Sequence, residues 1–459
     1  MPEDSVLRQD TVGFHAGDAL IPLINVPDAV KKCEGLDVVY THNLNRHCLA
    51  IVGNYNSRYN GHIFKFQRKG ARKKETLQEQ LKHPLVPISR GVDVENHGSA
   101  FRMPDIEKVE EHWSNLGTYF NAIDHLTSKL EPILQKIHRN KTVIVTVTNA
   151  GHKTLLMNFV CSCKARGFEI SNLVVFATDE ESMHLAEDLG VAVFYDERIF
   201  GSIPATASKQ FGDADFKAIV FAKLVAPQLV NMLGYDMLFQ DIDIVWNQHP
   251  VDLFIDPKGP YKDFDMLFMD DGIRNIIYAP YQANSGFYFA KCNEETKFFF
   301  RQLLYYADNI HKWTSEQGVF GAVLPEMASL LGLRIKTLLD LDFPGGFHYH
   351  RSSDFIRDIV EGKAQPVIFH MHWTKSVIQK LDFMKQMGLW YVKDVCLTSD
   401  LLEEKVQGSI KDQSAKQDIG CCSNEALVQC IFFDKGSVTQ CKGDTSMRMF
   451  ESTKHFWPT

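Results

Sequence analysis

The residues whose types and spacing best suit chemistry are Asp241 and Asp243, in the stretch Phe-Gln-Asp-Ile-Asp-Ile-Val-Trp-Asn-Gln-His-Pro over residues 239–250. Alternate side chains of an extended chain share a face, so both carboxylates project one way while Ile242 turns toward the core. Two carboxylates at that spacing can share one small hard cation, whose remaining positions suit phosphate oxygens. An isolated Asp-x-Asp pair more often ends a surface strand with no ligand. Here it follows an apolar strand-like run, Asp236 to Gln240, and the elements around that run decide between the two readings.

From Thr142 onward the pattern alternates. Thr142 to Thr148, Leu173 to Ala177, Val191 to Tyr195 and Asp236 to Gln240 read as strands; 151–166, 180–189 and 214–233 read as helices closed by Gly167, Gly190 and Gly234. Strand–helix alternation predicts a mostly parallel twisted sheet flanked by helices, an α/β fold. Ligands of such sheets bind beyond the carboxyl ends of the strands. That rule selects Thr148–Asn149, Thr178–Asp179 and Asp241–Asp243. Further strand-like runs at Met266 to Met269, Gly286 to Ala290 and Val367 to His370 are joined by helical patterns at 294–308, 315–324 and 375–387. A long amphipathic helix is expected over 104–139, with Pro104 in its first turn and apolar residues every three or four positions. The organisation expected is an irregular N-terminal extension with short β elements (1–103), this helix packing on the core, an α/β domain (140–395) and a polar, Cys-containing C-terminal tail (396–459).

Several ordered blocks resemble the nucleotide-diphospho-sugar transferases of glycosyltransferase family 77. They are Lys223 in the helix before the acidic motif, DMLFQDIDIVWNQHP itself, NSGFYFA (284–290), Glu316-Gln317, FPGG (343–346) and FHMHW (369–373), together covering roughly residues 140–390. The resemblance implies a GT-A-like fold, a manganese ion, a UDP-sugar donor and retention of anomeric configuration. Carried over residue by residue, it makes Asp243 the chief metal ligand, Asp241 a ligand to metal or ribose, and His370 the third ligand. Lys223 falls on the family's lysine. Lys375 or Lys380 would meet the phosphates. Gln317 would stand near the anomeric carbon, where a polar group stabilises developing positive charge. Asn284 could bond a sugar hydroxyl, since an amide both donates and accepts, from a position just before a tight Ser285-Gly286 turn. Asp270 and Asp271 could bind donor hydroxyls, and Thr148 and Asn149 end the strand where a uridine would rest. Each of these residues also has an ordinary structural reading as a turn, cap or core residue. Two departures bear on diphosphate placement: His372 stands where the family has Asn, and the glycine expected soon after Trp373 is absent.

The reading is thus a metal-dependent hexosyl- or pentosyltransferase acting on a glycan or glycoprotein hydroxyl. The alternatives are a metal-dependent nucleotide-sugar hydrolase or nucleotidyltransferase, and an inactive nucleotide-sugar-binding module. A net charge of -8 argues against a nucleic-acid partner. No run approaches the ~20 apolar residues of a membrane span. Cys161 and Cys163 read as buried thiols, whereas Cys421, Cys422, Cys430 and Cys441 read as a disulfide-stapled tail. Those cysteines and the resemblance favour the Golgi lumen; cytosolic residence is the alternative. Asn140-Lys141-Thr142 is a glycosylation sequon, a weak match by itself.

Overall fold

The computed structural model describes residues 106–397, apart from 201–202, 207–213, 273–277, 279, 311–314 and 375. It also describes short stretches between 36 and 88 and, near the C-terminus, 420–428, 431–432 and 439–440. Along the chain run β1 (Leu36–His42), β2 (His47–Gly53), β3 (Gly61–Arg68), β4 (Leu85–Ile88), α1 (Ile106–Ile137), β5 (Thr142–Thr148), α2 (Lys153–Ala165), β6 (Leu173–Ala177), α3 (Glu180–Asp188) and β7 (Ala192–Phe194). Then follow α4 (Glu197–Phe200), α5 (Ala214–Met232), β8 (Asp236–Gln240), β9 (Ile244–Trp246), α6 (Pro250–Ile255), β10 (Met266–Asp270), β11 (Ala283–Ala290), α7 (Glu294–Tyr305), α8 (Glu316–Leu331) and β12 (Ile335–Thr337). The last main elements are α9 (Gly346–Arg351), α10 (Ser353–Val360), β13 (Ile368–His370) and α11 (Val377–Gln386).

Two compact units result, one of residues 1–117 and 263–339, the other of 118–262 and 340–459. In the second unit, four strands pair in parallel in the order β8-β5-β6-β7. Every residue of β5 and β6 is buried, as strands covered on both faces must be, and their Val-rich sequences fit that place. Helix α5 packs on β5 and β8, α3 on β6 and β7, and α2 against β9. The helix ends are legible: Asp179 caps α3 by accepting from Ser182 N at 2.8 Å, and Gly234 follows α5 with φ +89°. Helix α1 contributes Tyr119, which donates to Gln228, and Lys129, paired with Asp196 at 2.8 Å.

The first unit holds β12-β10-β11, with β10 parallel to β12 and antiparallel to β11. A bulge interrupts the β10–β11 register between Phe268 and Asp270. Helix α8 packs on β3, β11 and α7. The short β elements expected in the N-terminal extension are present: β1 to β4 form a four-stranded antiparallel sheet in sequence order, and only β4 carries too little alternation to be read beforehand.

Two corrections concern particular residues. Asn284 and Ser285 lie within β11, which starts at Ala283, so they are strand residues rather than the approach to a tight turn. Cys161 is not a lone buried thiol but is bridged to Cys422; a second disulfide joins Cys396 to Cys421. Helical spacing concealed that partnership, because a disulfide to a residue 261 positions away leaves no local trace. Cys163 does stay a buried thiol, and Cys430 and Cys441 lie outside the described residues. The Cys161 bridge reinforces a polar clamp on the same helix. Asn158 donates to Leu389 O at 3.0 Å and accepts from Tyr391 N at 2.7 Å. Removing a native disulfide typically costs about 2–5 kcal/mol. Cys422→Ser should therefore lower the melting temperature by roughly 4–8 °C, and reductant should do the same to the parent protein. Thermal melts insensitive to both would show that the bridges do not close in solution.

Candidate active site

Strand β8 buries Met237, Leu238 and Phe239 almost completely, and Gln240 is fixed by accepting from Trp246 Nε1 at 2.9 Å. The chain then leaves the sheet at its carboxyl edge. Ile242 is buried, as the alternation requires, and the carboxylates flank it. Immediately afterwards β9 pairs antiparallel with β13, setting Ile244 opposite His370. Met371 N donates to Asp243 O at 2.9 Å and His370 N to Pro344 O at 3.1 Å, so the main chain on both sides of the histidine is fixed.

This pairing delivers the His370 imidazole to the acids. Its Nε2 lies 3.2 Å from Asp243 Oδ1 and 3.9 Å from Asp241 Oδ2. One ligand atom from each of Asp241, Asp243 and His370 falls within 4.8 Å of the others. The approach to Asp243 is close, yet neither ring nitrogen of this buried histidine has an aligned hydrogen-bond partner. Buried polar atoms are rarely left so. Two carboxylate oxygens and an imidazole nitrogen converging on one point fit a divalent ion of the Mn2+ or Mg2+ kind, and such an ion would satisfy that nitrogen.

Two lysines complete the cluster. Lys223 of α5 reaches Asp241 Oδ1 at 2.6 Å; Lys380 of α11 reaches Asp243 Oδ2 at 2.7 Å. Burial alone would raise the Asp243 pKa, but the charge of Lys380 and the neighbouring His370 outweigh it and hold the carboxyl well below the usual range. Helix α11 presents Lys380 because Ser376 caps it, accepting from Gln379 N at 3.3 Å. Lys375 lies outside the described residues.

The loop before α9 explains the FPGG block. A Cβ on Gly345 would run into the His372 ring, and one on Gly346 into the His372 carbonyl. Gly346 N lies 3.0 Å from His372 Nδ1, and the His372 and His370 rings stack at 4.7 Å. His372 is thus held by the turn, beside His370. Trp373 follows with φ +57°, a strained value for an aromatic residue. It is held there by His350, whose Nε2 is 3.0 Å from its carbonyl, and by the edge of Phe347.

At the end of β5, Thr148 and Asn149 are buried. Asn149 turns its amide inward: Nδ2 donates to Pro204 O and Thr206 O, each at 2.9 Å, and Oδ1 lies 2.7 Å from His152 Nδ1. Two carbonyls on one side identify the amide nitrogen. The oxygen therefore accepts, His152 carries its proton on Nδ1, and Nε2 keeps a lone pair. His152 was not legible beforehand; its one cue is a spacing of three from a strand-end asparagine. Burial, then the charges of Lys380 and Lys223, push its pKa down to about 4, with Asp243 and Asp241 opposing.

In the other unit the remaining candidates form a network of their own. Asn284 Nδ2 donates to Asp271 Oδ1 at 2.8 Å, and Gly286 N to Asn284 Oδ1 at 2.9 Å. Ser285 N donates to Gln317 Oε1 at 3.2 Å and Ser285 Oγ to Glu316 Oε1 at 3.1 Å. Asp270 Oδ1 accepts from Gly272 N at 2.7 Å. Glu316, the acid of the acid-Gln pair, is buried at the first turn of α8.

The core is a GT-A-like α/β domain with a mostly parallel sheet, and its strand-end acids meet a histidine and two lysines. Residues 169–384 match the model of the family described as nucleotide-diphospho-sugar transferase. The beta-arabinofuranosyltransferase RAY1 of Arabidopsis thaliana is 26% identical over 280 residues, which are 57% of this chain and 50% of that protein. A UDP-D-xylose:L-fucose alpha-1,3-D-xylosyltransferase 3 of the same plant is 24% identical, over 58% of this chain and 70% of its own. Among solved structures, mouse xyloside xylosyltransferase 1 aligns over 51% of this chain and 99% of its own, at 14% identity and a TM-score of 0.33. The chain spans about half the length of the arabinofuranosyltransferase it matches.

The His152 assignment has a pH consequence. A histidine whose folded pKa is about 4, against roughly 6.5 unfolded, takes up more protons when unfolded anywhere between those values. Stability should then fall as pH drops from about 6.5 toward 4, and His152→Gln should flatten part of that slope. Nitrogen NMR of the histidine rings should find one imidazole with its proton on Nδ1 that stays neutral to about pH 4; a His152 that titrates near 6.5 would refute the assignment.

Proposed function

We propose that this protein is a metal-dependent retaining glycosyltransferase. It moves a pentose or hexose from a UDP-sugar to a hydroxyl of a glycan or glycoprotein. The observation carrying this reading is the convergence of Asp241, Asp243 and His370 at the carboxyl end of β8, with Lys223 and Lys380 against the two acids. The relatives' names, which include arabinosyl-, xylosyl- and galactosyltransferases, support the reaction class. A domain of about residues 140–395 would carry it.

In this reading Asp241, Asp243 and His370 hold Mn2+ or Mg2+, which neutralises charge on the departing diphosphate when bound. Asp243, buried and ionised, supplies a fixed negative charge; His370 supplies a ring nitrogen from a strand fixed on both sides. Lys380 and Lys223 donate to phosphate oxygens, and His372, held by the Gly345-Gly346 turn, lies next to the ligand imidazole. The Nε2 lone pair of His152 accepts a hydrogen bond from the nucleotide. Gln317 would stabilise charge near the anomeric carbon, and Asn284, Ser285, Asp270 and Asp271 would bind the donor. A front-face substitution, in which the acceptor hydroxyl attacks from the side the diphosphate leaves, fits the lack of any carboxylate assigned as nucleophile. The two disulfides favour an oxidising lumen such as the Golgi.

Purified protein incubated with Mn2+ and a panel of UDP-sugars should hydrolyse one of them slowly, releasing UDP. Asp243→Ala should cut that rate at least about a hundredfold. Release of nucleoside monophosphate with sugar phosphate would instead identify a pyrophosphatase. UDP binding with no turnover of any donor would identify an inactive module.

A further inference from the structure

The single glycosylation sequon of the chain, Asn140-Lys141-Thr142, has a place in the fold that the transferase reading leaves unused. It forms the turn between α1 and β5. Arg139 N donates to Thr142 O and Thr142 N to Arg139 O, each at 2.9 Å, and the two residues between them have φ +52° and +62°. Positive φ at both central positions is the type I′ arrangement, which asparagine tolerates well. Turn geometry therefore accounts for Asn140. It does not account for a threonine two residues on, where any strand former would serve.

The neighbours of Asn140 are tied to the body of the protein. Lys141 Nζ lies 5.1 Å from the centre of the Tyr235 ring, the His138 ring lies 5.5 Å from the same ring, and Arg139 pairs with Asp252 at 2.8 Å. Asn140 between them is exposed, and its side-chain amide makes no hydrogen bond among the described residues. Thr142 pairs with Asp236 at the amino ends of the parallel strands β5 and β8. Asp241 and Asp243 follow the carboxyl end of β8, about 15 Å away at ~3.3 Å per residue. A bulky group on Asn140 would thus stand clear of the acidic cluster. The disulfides Cys161–Cys422 and Cys396–Cys421 call for an oxidising compartment. The secretory lumen that meets this need is also where oligosaccharide is transferred from a lipid diphosphate to asparagine.

We propose that Asn140 carries an N-linked glycan at the edge of the sheet opposite Asp241 and Asp243. The inference rests on the lumenal reading and goes beyond the transferase activity. In the step, Asn140 Nδ2 bonds the anomeric carbon of the lipid-linked oligosaccharide. The bond from that carbon to the diphosphate breaks, the lipid diphosphate leaves with the electron pair, and the amide gives up one proton. Thr142 sets the timing. The motif is read at its hydroxyl as well as its amide, yet in the fold Thr142 is only 1% exposed and its Oγ1 turns back to Asn140 O at 3.5 Å. Transfer therefore precedes the pairing of β5, and the finished turn keeps the glycan outside.

The test translates the full chain behind a cleavable signal peptide in the presence of microsomes. The product should show one mobility shift that peptide-N-glycosidase removes, with residue 140 deamidated by the release. Asn140→Gly, which keeps the positive φ without strain, should abolish the shift and leave UDP-sugar turnover unchanged, whereas Thr142→Ser should retain the shift. Protein folded without a glycan should stay unmodified when offered to detergent-solubilised oligosaccharyltransferase with its lipid-diphosphate donor. Absence of the shift from chain whose Cys161–Cys422 bridge has formed overturns the proposal, as does a shift that survives Asn140→Gly. Modification of the already folded protein overturns the order assigned through Thr142. A chain with neither bridge nor glycan would overturn the lumenal reading as well, and so is distinct from a bridged chain without glycan.

Discussion

The constraint on which the rest of this structure depends is the burial of one ionised carboxylate, Asp243. A desolvated charge persists in a protein only where opposite charge and hydrogen bonds hold it. Lys380 and His370 meet that demand, and each has to be brought from more than a hundred residues further along the chain. The β9–β13 pairing and the cap of α11 exist in the right places because the acid sits where it does. Removing any one of the three would leave charge or lone pair stranded in a dry interior.

The same demand explains why small features of the backbone are so tightly specified. β13 is only three residues long, yet its register is fixed on one side by β9 and on the other by the chain at Pro344 and Gly345. Two glycines admit the His372 ring and carbonyl, and Trp373 tolerates a left-handed backbone between Phe347 and His350. Strain of this kind persists where surrounding contacts over-determine it.

Much of this was legible in the sequence because it rests on local physics. Strands such as Thr142–Thr148, Leu173–Ala177 and Asp236–Gln240 match residue for residue, since uninterrupted Val, Ile and Leu runs between glycine-closed helices leave little choice. The acids at 241 and 243 were visible from alternation, and His370 from the family's block order. What escaped notice depends on distant partners. Asn158 looks like any helix residue until Leu389 and Tyr391 close on it. His152 becomes special only through an amide fixed by the loop at 204–206. Lys380 was one of two candidate lysines, and only the geometry of α11 sets it on Asp243. The bulge that shifts β10 and the start of β11 at Ala283 changed Asn284 and Ser285 from turn to strand residues.

The bridge between Cys161 and Cys422 has a consequence for how the molecule is made. A polypeptide emerges from the ribosome N-terminus first, so β5 and the helix bearing Cys161 appear long before its partner. That thiol must wait, through more than half the length of the protein, without being captured by Cys163 two residues on. A helix holds neighbours at that spacing on divergent faces, and early formation of α2 would itself guard against the wrong pairing. Covalent closure is thereby deferred until nearly all of the fold is present to be closed.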